Sequence, residues 1–95
     1  MPVAIAPHVV LRYRLADDYL ARRGSYRAEH LELVAEYRRA GLLSLAGALR
    51  EPADEALLVF ATDDVAVAER FAELDPYVRE GLVVHREVRG WSVVA

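Results

Sequence analysis

The stretch Leu42–Thr62, LLSLAGALREPADEALLVFAT, decides the fold, because it holds two strand-like runs with no helix between them. Leu42–Leu49 and Ala56–Thr62 are short and apolar, and Arg50–Glu55, with Pro52 inside it, is the turn that joins them. Outward on the N-terminal side lies a helix. Ser25 is a residue type suited to cap it, the apolar spacing runs to about Ala40, and Gly41 stops it. Ahead of it come a polar loop, Ala16–Gly24, and a strand, His8–Leu15, in which Val9, Leu11, Tyr13 and Leu15 alternate with His8, Val10, Arg12 and Arg14. On the C-terminal side, Thr62 or Asp63 caps a second helix. It ends before Pro76, since the residue preceding a proline avoids helical angles. Leu82–Trp91 is the last strand. The order βαββαβ predicts a ferredoxin-like α+β sandwich, a four-stranded antiparallel sheet with two helices on one face.

The chain of 95 residues, 55% hydrophobic and 28% charged, fits one small domain spanning residues 1–95. All 12 basic residues are Arg, the formal charge is −3, and cysteine is absent. A nucleic-acid binder usually carries a basic excess, so no nucleic-acid partner is expected. Disulfides, thiolate metal sites and thiol nucleophiles are excluded. Without Lys there is no Schiff-base amine. The longest uncharged run, Met1–Leu11, is too short to span a bilayer and lacks a basic leader region, so no membrane partner is expected and the location reads as cytoplasmic.

In the third strand Leu57 and Val59 face one side of the sheet, and Leu58 and Phe60 face the other. Two helices cover one face. A second apolar face in a chain this small calls for a second copy packed sheet against sheet, so a homodimer is expected.

On a helical wheel Tyr26, Leu33, Val34, Tyr37 and Gly41 fall within about 100°, opposite Glu29, Glu32, Glu36 and Arg39. His30 lies near the middle of the apolar sector. Burial disfavours an imidazolium there and a neighbouring carboxylate favours it, so His30 reads either as a neutral core histidine or as a functional group. Asp75 is the second candidate: Pro76 holds it out of helical geometry and presents its carboxylate at a fixed angle, although Asp-Pro also simply ends helices. Arg27, near His30 on the helix, can bind a carboxylate bidentately or pair with a surface acid. Arg22-Arg23 and Arg38-Arg39 read as solvated charge. His8, His30 and His85 lack metal-pair spacing, the three serines sit in no nucleophile elbow, and the five glycines form no phosphate loop, so neither metal nor cofactor is expected.

Arg27-x-x-His30-Leu31, Gly41-Leu42-Leu43 with Gly47, Asp63, Asp75-Pro76-Tyr77, and Gly81-Leu82-Val83 running to Trp91 together resemble the YciI-like (YCII-related) family over about residues 8–92. Gly47-Ala48-Leu49 departs from the Gly-Pro or similar pair that many members carry after the second strand. The resemblance implies a dimeric α+β barrel in which His30 and Asp75 meet in a cleft as a catalytic pair, with Arg27 and Tyr77 as substrate-binding residues. Relatives include chlorohydroxyhydroquinone dehydrochlorinases, and muconolactone isomerases share the wider superfamily. The expected function is cofactor-free proton transfer by a lyase or isomerase on a small anionic molecule, with cyclic compounds such as lactones and halophenols the first to consider. Two other readings stand beside it: a non-catalytic dimeric module that binds a metabolite or partner through the same cleft, and a purely structural buried pair.

Overall fold

The computed structural model describes residues 6–95. The first five residues of the Met1–Leu11 run lie outside the described residues. The chain runs β1 (Ala6–Leu15), α1 (Tyr19–Arg22), a 3₁₀ turn (Arg23–Ser25), α2 (Arg27–Arg39), β2 (Leu43–Ala48), β3 (Glu55–Phe60), α3 (Val65–Leu74), α4 (Pro76–Arg79) and β4 (Val83–Val93). The four strands form one antiparallel sheet in the order β2-β3-β1-β4. This is the ferredoxin-like α+β arrangement, with β1 and β3 in the centre.

Period-2 alternation places the core. Val9, Leu11, Tyr13 and Leu15 of β1 are buried, as are Leu58 and Phe60 of β3. They pack against Leu33 of α2 and against Ala68, Phe71 and Ala72 of α3. Phe60, Phe71 and Tyr37 interlock edge to face, with centroids 5.0–6.2 Å apart. Among the described residues no helix is long and apolar enough to cross a membrane.

Three local expectations change. The loop expected over Ala16–Gly24 contains α1 and runs into the 3₁₀ turn. Ser25 therefore lies inside a helical turn and does not cap α2. The N-cap is Tyr26 at φ −120°, ψ −2°, with no side-chain bond, because a chain arriving already coiled lacks the extended cap residue that would turn a side chain back onto the helix. The cap of α3 is neither Thr62 nor Asp63. It is Asp64, whose Oδ1 accepts from Ala66 N at 3.0 Å, while Thr62 Oγ1 accepts from Asp64 N. Gly41 ends α2 as expected, at φ +75°, where a side chain would be strained.

Candidate functional site

The helix-breaking Asp75-Pro76 step builds the site. Pro76 forbids helical angles at the preceding residue and is pre-shaped for the first position of a new helix. Asp75 accordingly sits at φ −74°, ψ 120°, closing α3 and capping α4. Its carboxylate turns inward and is wholly buried. Oδ1 accepts from Tyr77 N at 3.0 Å and from His30 Nδ1 at 2.9 Å. Oδ2 accepts from the Tyr13 hydroxyl at 2.9 Å. Three donors thus compensate the burial of one charge.

His30 enters from the first turn of α2 with its side chain 15% exposed. Its ring stacks on that of Tyr77, centroids 3.9 Å apart and planes 8° from parallel, and meets Phe71 edge to face. The tautomer follows from the partners. A carboxylate oxygen that already receives a backbone N–H can only accept, so Nδ1 carries the hydrogen, and in the neutral ring Nε2 is the nitrogen with the lone pair. Burial, reinforced by the charge and hydrogen bond of Asp75, pushes the Tyr13 phenol far above the ordinary tyrosine range. Tyr13 therefore serves as a neutral donor.

His30 borders a cleft of about 700 Å³ between the segment from Tyr19 to Val34 and the β2–β3 hairpin from Ala46 to Ala53. That volume is ample for a small molecule. Arg27 and Tyr77 line it as well, so three of the four residues singled out from the sequence meet there. Asp75 does not reach the cleft wall; it touches it only through His30 and Tyr77. The departure at Gly47-Ala48-Leu49 falls on the rim. Among the described residues no group of three or more His, Cys, Asp or Glu is placed to hold a metal ion.

Sequence reasoning missed three participants. Tyr13 was legible only as an inward strand position; the signal was its hydroxyl, since a buried tyrosine O–H requires a partner. Arg23, read as solvated charge, lines the cleft with its guanidinium 5.6 Å above the Tyr19 ring. Arg50, from the turn, lines it from the opposite side. Arg22 is not simply solvated either, because its guanidinium donates to the Glu80 carbonyl at 2.8 Å.

A model of the YCII-related domain matches residues 6–92. No curated protein matches. Among solved structures, the chain is similar to 5-chloro-2-hydroxyhydroquinone dehydrochlorinase from Burkholderia phenoliruptrix AC1100 in complex with 2,5-dihydroxybenzoquinone, with 16% identity, a TM-score of 0.73, and 88% of this chain and 92% of that chain covered. It is also similar to a dimeric ferredoxin-like protein from an uncultured marine organism, at 15% identity and a TM-score of 0.55 over 97% of this chain and 90% of that one. A nipsnap family protein of unknown function from Agrobacterium tumefaciens matches at 18% identity and a TM-score of 0.60, over 94% and 88% of the two chains. At these identities the likeness is one of fold.

Proposed function

The chain belongs to the YCII-related domain family, and from that premise we propose that it is a lyase or isomerase that moves a proton on a small anionic molecule. One observation carries the reading. The His30 imidazole is held through Nδ1 by a buried, fully bonded carboxylate and borders a cleft of small-molecule size. Nε2 is then the base: it takes a proton from a carbon next to a carbonyl or leaving group, and Asp75 compensates the imidazolium that forms. In an elimination the freed electron pair becomes a carbon–carbon double bond as the leaving group departs with its own electrons. In an isomerisation the same proton returns at another carbon. Arg27 and Tyr77 hold the substrate, and Asp75 acts as a positioning residue. The fold shared with a dehydrochlorinase solved with a planar cyclic quinone supports small cyclic substrates as the first to try.

The test is proton exchange. Candidate enols, lactones and halophenols are incubated with the protein in deuterated water and followed by NMR. Wild type exchanges or converts one of them, and His30→Gln, folded by circular dichroism, is slower by about 10²–10⁴-fold. A variant that reacts as fast as wild type removes His30 from the chemistry. Binding without exchange or conversion would favour a non-catalytic metabolite-binding module.

The protein works as a homodimer in this reading. The sheet face turned away from the helices carries Val10, Leu45, Leu57, Val59 and Trp91, with Leu45 70% and Trp91 50% exposed. Apolar side chains this exposed across neighbouring strands are a recognised mark of an interaction surface. The Arg12–Glu55 pair, 2.9 Å apart beside them, offers both signs of charge to an identical face.

A further inference from the structure

One polar hydrogen in the cleft wall has no partner. Tyr77 is 3% exposed, and its buried hydroxyl finds no acceptor for its hydrogen. A buried O–H left in this state loses its bond to water and gains none in return, so its persistence needs a reason. The neighbours of Tyr77 narrow the reason. Burial and the nearby Tyr19 raise its pKa, while the positive charge of Arg27, a hydrogen bond from its guanidinium and the charge of Arg23 oppose the rise, so what surrounds the hydroxyl is donors. A guanidinium only donates. It can approach the phenol oxygen but can never accept the phenol hydrogen. What this corner lacks is an acceptor.

Charge points the same way. Arg23, Arg27 and Arg50 line the cleft against a single carboxylate, Glu51, although the chain as a whole carries −3. Among the described residues none of these three arginines forms a salt bridge, so no carboxylate of the chain neutralises them. Free guanidiniums beside an orphaned O–H are the donor half of an oxyanion site. The stack on His30 adds the position: a molecule held by the Tyr77 hydroxyl sits beside the imidazole.

We propose that the Tyr77 hydroxyl, with the Arg27 and Arg23 guanidiniums, forms an oxyanion subsite that takes an ionised oxygen (carboxylate, phenolate or enolate) of a planar substrate and rejects its neutral analogue. The inference rests on the cleft being the substrate site and deepens it by naming the substrate feature that is read. It is independent of whether His30 turns the molecule over.

Binding of 2-hydroxybenzoate and of its neutral amide, 2-hydroxybenzamide, measured by NMR titration and calorimetry, tests it. Wild type binds the acid about tenfold or more tightly than the amide, the scale of one charge-assisted hydrogen bond. Tyr77→Phe, which keeps the stacked ring, and Arg27→Met, which keeps the apolar stem, both lose most of that preference. Arg39→Met, which removes an exposed arginine outside the cleft, keeps it, and because neither probe has to react, a failed catalytic reading and a failed subsite give different results. Thermal melting separates a ligand role from a structural one: Tyr77→Phe, relieved of a hydroxyl without an acceptor, melts at or above the wild-type temperature. Equal affinity for acid and amide in wild type overturns the proposal, as does an unchanged preference in Tyr77→Phe. A wild type that binds neither probe at millimolar concentration overturns it too.

Discussion

The Tyr13 hydroxyl donates to Asp75 Oδ2 at 2.9 Å, joining the central strand to the break between two helices across 62 residues of sequence. With the Tyr77 amide and the His30 ring on Oδ1, it leaves the carboxylate no freedom to rotate. The imidazole is therefore oriented by a group that is itself oriented, and no part of that support faces solvent.

Removing Asp75 is the most damaging single change at the site. Asp75→Ala strands three buried donors at once and costs about 3–5 kcal/mol of stability. His30→Ala leaves the carboxylate bonded to Tyr13 and the Tyr77 amide and costs about 1–3 kcal/mol. Urea unfolding of both variants checks the order, and a larger loss for His30→Ala would show that the carboxylate is not the centre of this network.

Alkaline pH acts through the tyrosines. The phenols of Tyr13, Tyr37 and Tyr77 are all raised above the ordinary value of 10.0, chiefly by burial. Above that value the unfolded chain releases phenol protons that the folded chain still holds, so stability is complete below about pH 10 and falls as pH rises beyond it. No lysine or cysteine side chain titrates alongside to obscure the effect. Urea midpoints from about pH 8 to 11 decline above pH 10 in wild type, and the decline is shallower in Tyr13→Phe. A flat profile, or an identical slope in the variant, contradicts this account.

The exposed sheet face predicts the oligomeric state. Wild type sediments as a dimer at micromolar concentration. Trp91→Glu or Leu45→Glu shifts it toward monomer while circular dichroism stays unchanged, since neither side chain belongs to the buried core. Sedimentation as a monomer at every concentration would remove the dimer from the functional reading.

The parts of the molecule that were legible in the sequence rest on local rules. Alternation fixed the inward face of β1, Gly41 marked the end of α2, and Pro76 ended α3, because period, positive φ and the proline ring each act within a few residues. The cap at Ser25 failed because it depends on how the chain arrives, and the chain arrives already coiled. The His30–Asp75 contact spans 45 residues, and no periodicity specifies which buried histidine meets which carboxylate. The family resemblance implied that pair; the residues alone favoured His30 as a core histidine. The Tyr13 hydroxyl and the placement of Arg23 over Tyr19 were beyond reach for the same reason, since each depends on a partner from another turn of the fold.

Asp75 has a second occupation that affects how kindred chains are to be judged. It closes one helix and begins the next, with Oδ1 on the Tyr77 amide, and those duties persist whether or not any reaction takes place. A kindred chain without the proposed chemistry still gains by keeping its Asp-Pro step, and loses less by giving up a histidine at position 30. Inheritance of the two residues is thus unequal testimony: the aspartate vouches for the backbone, and the histidine alone speaks for the trade.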